Sequence, residues 1–124
     1  MENGLIIVDP ALLPPAPPTE AELVKQYDGY VQERLDEVAR LFGYGDPNRP
    51  EVSPILHAIS YADEPAVPRF QQEGQALRAW RSLTWAAAAG ILNAVRKNER
   101  PVPTKAELLE ELEAAVPAPE QEPL

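Results

Sequence analysis

The chain contains no cysteine, one histidine, one methionine and eight aromatic residues among its 124. Without cysteine there is no disulfide framework, no thiolate nucleophile and no iron–sulfur ligation. Long apolar runs are lacking too. The longest, residues 83–92, is about half of what a membrane-spanning helix needs, and Arg78, Arg81 and Arg96 flank it closely. LIIV near the start is too short for a secretory signal and has no basic region before it. The expectation is a soluble chain with no membrane partner.

Catalytic constellations are equally sparse. His57, the only histidine, sits between Leu56 and Ala58, which fits a packed or half-exposed residue better than a base or a ligand. Ser53, Ser60 and Ser82 lack the glycine context of a nucleophile elbow. The six glycines are scattered and build no phosphate loop. Glu107, Glu110, Glu111 and Glu113 form a run, which is ordinarily a solvated helix face rather than an acid–base pair. The expectation is therefore no enzyme, no cofactor and no metal site.

Proline is plentiful. Five of the fifteen prolines fall in residues 10–18 (PALLPPAPP) and three more in 117–123 (PAPEQEP). Proline fixes φ and lacks a backbone donor, so neither stretch continues a helix or enters a sheet. This divides the chain into an extended apolar and proline-rich arm (1–18), a foldable domain (19–116) and a flexible acidic tail (117–124). One core of this size fits the usual range for a single domain.

Charge is unevenly spread around a net of −9. Residues 1–67 carry twelve acids and four bases, residues 68–103 six bases and two acids, and residues 104–124 six acids and one base. A basic middle between acidic flanks fits attraction within the fold or across subunits, and fits ordinary solvated faces as well. Overall acidity opposes binding to a phosphate backbone, which requires a cationic surface. Nucleic acid is not an expected partner.

Between the arms the periodicity is helical. Thr19 with Glu22 has the spacing of a capping box, and Leu23, Tyr27, Tyr30, Val31, Leu35, Val38, Leu41 and Phe42 form one stripe that Gly43 ends. Gly29 interrupts it at a cost of roughly 1 kcal/mol, either for a close crossing or by softening the helix. Ser53 and Pro54 open a short helix facing inward through Ile55, Leu56, Ile59 and Tyr61. Pro68 opens a third, reaching about Asn98, with Phe70, Leu77, Trp80, Thr84, Ala88, Ile91 and Val95 on one face, Gly74 on the same side, and Ala87 and Leu92 widening it. Thr104 and Glu107 form a second capping box before a fourth helix, and the prolines of ERPVPT end the third. No alternating strand pattern appears. The fold class is all-α: a small bundle of three to four helices with extended proline-rich N- and C-terminal arms.

ALRAWRSLTWAAAAGILNAV (76–95) is the richest stretch for binding. Trp80 and Trp85 lie about 140° apart around a helix, so one can be core while the other meets a second helix or another chain. Arg81 precedes Trp85 by four residues, in register to cover its indole. Ala86 and Gly90 make a small-xxx-small step that admits a second backbone. A packed core helix and an interface both explain this pattern, and tryptophan with arginine is the usual composition of an interface anchor. The N-terminal arm offers a second handle in Leu5, Ile6, Ile7 and Val8, followed by Leu12 and Leu13. It would add a strand to a neighbour's sheet edge or lay its leucines in a groove, or be a loose terminus.

Two blocks carry a resemblance: SYADEPAVPRFQQEGQALRAWRSLTWAAAAGILNAV (60–95) and RPVPTKAELLEEL (100–112), with the helix end LDEVARLFGYGD before them. The steps concerned are Ser60-Tyr61-Ala62, Pro68 with Phe70, Glu73 to Ala76, Trp80-Arg81, Trp85-Ala86, and Arg100 to Leu108. Together they resemble small proteins of tailed bacteriophages that are commonly found beside tail-fibre genes. Both tails of the present chain lie outside that pattern. The resemblance implies a morphogenesis protein, a chaperone or adaptor that binds a tail-fibre or baseplate subunit in the host bacterial cytoplasm during assembly. The alternatives it leaves are a structural component retained in the virion (tail, baseplate or head decoration) and an acidic binder of a host protein. A homo-oligomer fits each of them. The candidate partner-binding residues are Leu5, Ile6, Ile7, Val8, Leu12, Leu13, Arg81, Trp85, Ala86 and Gly90.

Overall fold

The computed structural model describes residues 18–123. They form four helices and no strand: α1 (Glu20–Leu41), α2 (Pro54–Ile59), α3 (Pro68–Arg96) and α4 (Lys105–Ala115). The N-terminal arm, including Leu5, Ile6, Ile7, Val8, Leu12 and Leu13, lies outside the described residues. No helix among those described is long and apolar enough to cross a membrane.

Local chemistry sets the helix ends. Thr104 and Glu107 complete a reciprocal capping box, with bonds of 2.8 and 3.2 Å between each side chain and the other's amide. At Thr19 only half of the box forms: its hydroxyl accepts from the Glu22 amide at 3.1 Å. Pro54 and Pro68 occupy first helical turns, where a missing amide proton costs nothing. The C-terminus of α1 closes as a Schellman motif. The Gly43 amide donates to the Arg40 carbonyl, the Tyr44 amide donates to that of Ala39, and Gly43 takes a φ of +102°. α3 ends by the same device, with Asn98 at φ +58° in the glycine position. The prolines at 101 and 103 therefore follow a helix that has already stopped.

Val31, Leu35, Ile55, Leu77, Leu108 and Leu112 are fully buried and draw all four helices onto one core. Each such side chain contributes about 1.5–3 kcal/mol through the water it no longer meets. Trp80 is 3 % exposed, and its indole N–H donates to the Val116 carbonyl at 3.2 Å, satisfying an orphan acceptor at the end of α4. The buried Tyr27 hydroxyl donates to the Pro103 carbonyl, fastening the α3–α4 connection to α1. Three side chains assigned to inner faces are outside: Leu41 is 77 %, Leu56 56 % and Phe70, on the first turn of α3 beyond the core, 39 % exposed. Leu41 is the last residue of α1, and the Schellman turn folds Tyr44 inward in its place. On the single turn and a half of α2, burying Ile55 and Ala58 sends Leu56 to the other side.

Gly74 is where α3 touches the end of α2. A Cβ there would lie 2.7 Å from the Ala58 carbonyl oxygen and 2.8 Å from the Ala62 amide nitrogen. Gly29, by contrast, has nothing within 4 Å of its would-be Cβ, so it marks no crossing. The basic middle of the chain pairs with its acidic flanks inside the fold. Arg78 meets Asp63 at 3.3 Å, Arg96 meets Glu20 at 2.6 Å, and Arg100 forks onto Glu111 at 2.6 and 2.7 Å. Exposed pairs of this kind contribute about 0–1 kcal/mol each, so they orient helices more than they hold them.

Two consequences can be measured. Gly29→Ala should raise stability by roughly 0.5–1 kcal/mol, whereas Gly74→Ala should lower it by about 1–3 kcal/mol, because only the second pushes against backbone. Chemical denaturation of both variants checks the opposite signs. The Arg100 hydrogen bond lowers the Glu111 carboxyl below its ordinary value of 4.5. The unfolded chain thus binds the proton first as pH falls, and the stability this pair contributes is present above 4.5 and disappears as pH drops through the lowered folded value. Glu111→Gln should flatten that part of the acid limb in a stability-versus-pH series.

Candidate functional site

Four of the eight aromatic residues, together with the only histidine, converge on a single cleft of about 620 Å³. Phe42 and Tyr44 arrive on the Schellman turn after α1, His57 on α2, Tyr61 just beyond it, and Phe70 on the first turn of α3. The rings pack as a network of edge-to-face and tilted pairs: Tyr44–His57 at 5.5 Å, Tyr61–Phe70 at 5.2 Å and Tyr44–Phe70 at 6.4 Å between centroids. Such pairs are each worth about 0.5–1.5 kcal/mol beyond the area they bury.

Glu73 ties the cleft together. Its carboxylate accepts from the Tyr44 hydroxyl at 2.7 Å and from the Gln121 amide at 3.0 Å, and it pairs with Arg69 at 3.4 Å. Burial, reinforced by the Glu73 hydrogen bond, raises the Tyr44 phenol well above its usual range and keeps it a donor. The Gly45 amide donates to His57 Nδ1 at 2.9 Å, which puts the histidine's own proton on Nε2. One wall of the cleft is the end of the chain. The Arg69 guanidinium donates to the Glu122 carbonyl at 2.7 Å, Gln121 donates to the Phe42 carbonyl at 2.9 Å, and Pro123 completes the lining. The segment after α4, expected to be a flexible acidic tail, carries these contacts.

The candidates on α3 do not share a face. Arg81 and Trp85 are half-buried along one edge, while Ala86 and Gly90 are exposed about 100–180° away around the helix. Trp85 packs on the core and lines a small groove of about 110 Å³ with Tyr27, Asp28, Val31, Ala88, Ala89, Leu92 and Leu108. Its neighbours are therefore α1 and α4. The expected stacking of Arg81 on Trp85 is absent: the cation–π contacts among the described residues are Arg34 over Trp80 at 5.8 Å and Lys105 over Tyr30 at 5.1 Å. Both cations come from a different helix than the ring they cover, so they staple elements instead of decorating one. Ala86 and Gly90 belong to an outer face made of Ala79, Ser82, Leu83, Ala86, Ala89, Gly90 and Asn93, which carries no charge and leaves Leu83 58 % exposed.

The aromatic cleft escaped sequence reasoning because its residues lie on three elements separated by long connections, with no shared periodicity. The only local hint is the Phe-Gly-Tyr-Gly step after α1. No protein-family model, no curated protein and no solved structure matches the chain. The chemistry of the cleft and of the outer α3 face thus carries the functional argument.

Tyr44→Phe tests the polar half of the cleft. It removes the donor that Glu73 holds at 2.7 Å and should cost about 1–3 kcal/mol, since a charged acceptor is left short of a partner. Thermal denaturation reads the loss, and helical circular dichroism at low temperature should be unchanged.

Proposed function

We propose that this chain is a non-enzymatic binding protein of tailed-bacteriophage assembly that grips a tail-fibre or baseplate subunit. The observation that carries the reading is the outer face of α3. One residue in four of the chain is charged, yet the exposed positions from 79 to 93 carry none. A solvated helix normally places its charges outward. Here alanines and a glycine lie there instead, with Leu83 standing above them, so a second backbone can approach closely and bury an apolar knob. Such a face fits a partner's helix or strand better than it fits water.

In this reading the bundle is a rigid body and the N-terminal arm supplies a second grip through Leu5, Ile6, Ile7 and Val8. Binding occurs in the bacterial cytoplasm while particles assemble. The acidic exterior keeps the complex soluble as apolar surface is exchanged. The phage context rests on the resemblance in residues 60–95 and 100–112.

Ala86→Glu places a charge at the centre of the outer face without disturbing any described contact. It should leave helical circular dichroism and melting temperature intact and lower co-purification of a tail-fibre or baseplate subunit from infected cells at least tenfold, as quantified by mass spectrometry. Deleting residues 2–18 should also weaken recovery. Undiminished recovery of the same subunit by Ala86→Glu would remove the face from the mechanism.

A further inference from the structure

The aromatic cleft has a second use that the assembly reading does not need. We propose that it receives the proline-rich stretch of residues 10–18 from another copy of the same chain. Aromatic-lined grooves with side-chain donors aimed at backbone carbonyls are the standard receptor for extended proline segments, because such a segment is already ordered and leaves its carbonyls free. Both features are present. Tyr61 and Phe70 pack tilted at 5.2 Å between centroids, and Phe70 stays 39 % exposed at the rim. Arg69, on the cleft wall, donates to the main-chain carbonyl of Glu122, so the cleft already holds one segment by its backbone carbonyl. A stretch of this chain ending in Pro123 already lies along one wall, and the volume that remains, about 620 Å³, falls in the range of ligand sites.

Geometry selects the donor. The cleft sits at the C-terminal end of α1, next to Phe42, Gly43 and Tyr44. The proline stretch is joined to the opposite end of that helix, at Thr19. A helix of 22 residues is about 33 Å long. Nine residues in polyproline geometry span about 28 Å. A nine-residue segment held in that geometry would not reach from the start of α1 to the cleft at its far end, whereas a neighbouring copy's cleft has no such limit. Leu12 and Leu13 within the stretch add apolar side chains for the rings to cover. Exchange of this kind is reciprocal in a two-fold dimer or continues head to tail in a chain of copies.

The test uses the full chain in purified form, with no phage protein present, so its result is independent of the proposed assembly role. Sedimentation and native mass spectrometry should show concentration-dependent self-association. Phe70→Ala removes the receptor, and combined Pro14→Ala, Pro15→Ala and Pro17→Ala removes the ligand; each variant alone should be monomeric. Mixing them should restore one-to-one heterodimers, because one supplies an intact arm and the other an intact cleft. A peptide of residues 9–19 should compete with that pairing. Circular dichroism verifies that Phe70→Ala folds, and the arm variant together with the peptide carries the test if it does not. A wild-type chain that stays monomeric up to about 1 mM, the weak end of measurable affinities, overturns the proposal. So does an oligomer that survives the proline substitutions, a mixture that stays monomeric, or a monomer in which those substitutions alter the cleft's own resonances.

Discussion

The bundle depends on one backbone-to-backbone contact, the approach of α3 to the end of α2 at Gly74. Any side chain there would meet the Ala58 carbonyl oxygen and the Ala62 amide nitrogen below 3 Å. Because none intervenes, the first turns of α3 lie directly against α2 and the residues after it. One turn before Gly74, Phe70 comes level with Tyr61, and Glu73 comes level with Tyr44. One turn beyond it Leu77 drops into the core, and nearly two turns beyond it Trp80 reaches the carbonyl at the end of α4. The same contact therefore fixes both the apolar centre and the aromatic cleft. A looser crossing would separate the rings and strand the Glu73 carboxylate away from its donors.

The second organising device is the turn after α1. Its Schellman geometry sends Leu41 outward and folds Tyr44 in, so an aromatic ring rather than an aliphatic side chain caps that end of the core. Asp36 extends the arrangement from the body of α1. Its carboxylate accepts from the Ser53 hydroxyl at 2.7 Å and the Ile55 amide at 3.1 Å, placing negative charge at the start of α2. The short helix is thus held at both ends, by a carboxylate from α1 and by the glycine of α3. At six residues it is too short to be stable by itself, and its orientation is a product of its neighbours.

Much of this was legible in the letters because helix boundaries are written locally. Thr19, Ser53, Pro54, Pro68, Gly43 and the Thr104–Glu107 pair each act within three or four residues, and the helices begin or end beside them. Asn98 was missed as the stop for α3 because asparagine takes the left-handed position less often than glycine, and the nearby prolines offered a more obvious ending. Gly74 and Gly29 look alike in sequence, both sitting inside helical patterns; only the neighbours brought by the fold show that one is obligatory and the other merely tolerated. The same holds for the tryptophans. Their angular separation was readable, but which one would be core, and that α1 and α4 would occupy the side of the other, depended on how the helices cross.

What the fold separates is as informative as what it gathers. α3 carries Arg81 and Trp85 on an edge already occupied by its own bundle, and Ala86 and Gly90 on the side that no described helix covers. The stretch for which a core helix and an interface were both open therefore divides into two parts: an internal seam and an external face. The internal seam explains the large aromatic; the external face explains the absence of charge, which core packing alone would never demand. Alanine is the best helix former, so the alanines of this face suit a solvated helix, whereas Gly90 costs about 1 kcal/mol against alanine there and has no packed neighbour within 4 Å to justify it. Gly90, like Gly29, has no packed neighbour and is tolerated by the monomer; what sets it apart is its place on a face that carries no charge. The outer face of α3 thus differs from the aromatic cleft, where Tyr44, Glu73, Arg69 and Gln121 are already hydrogen-bonded within the chain.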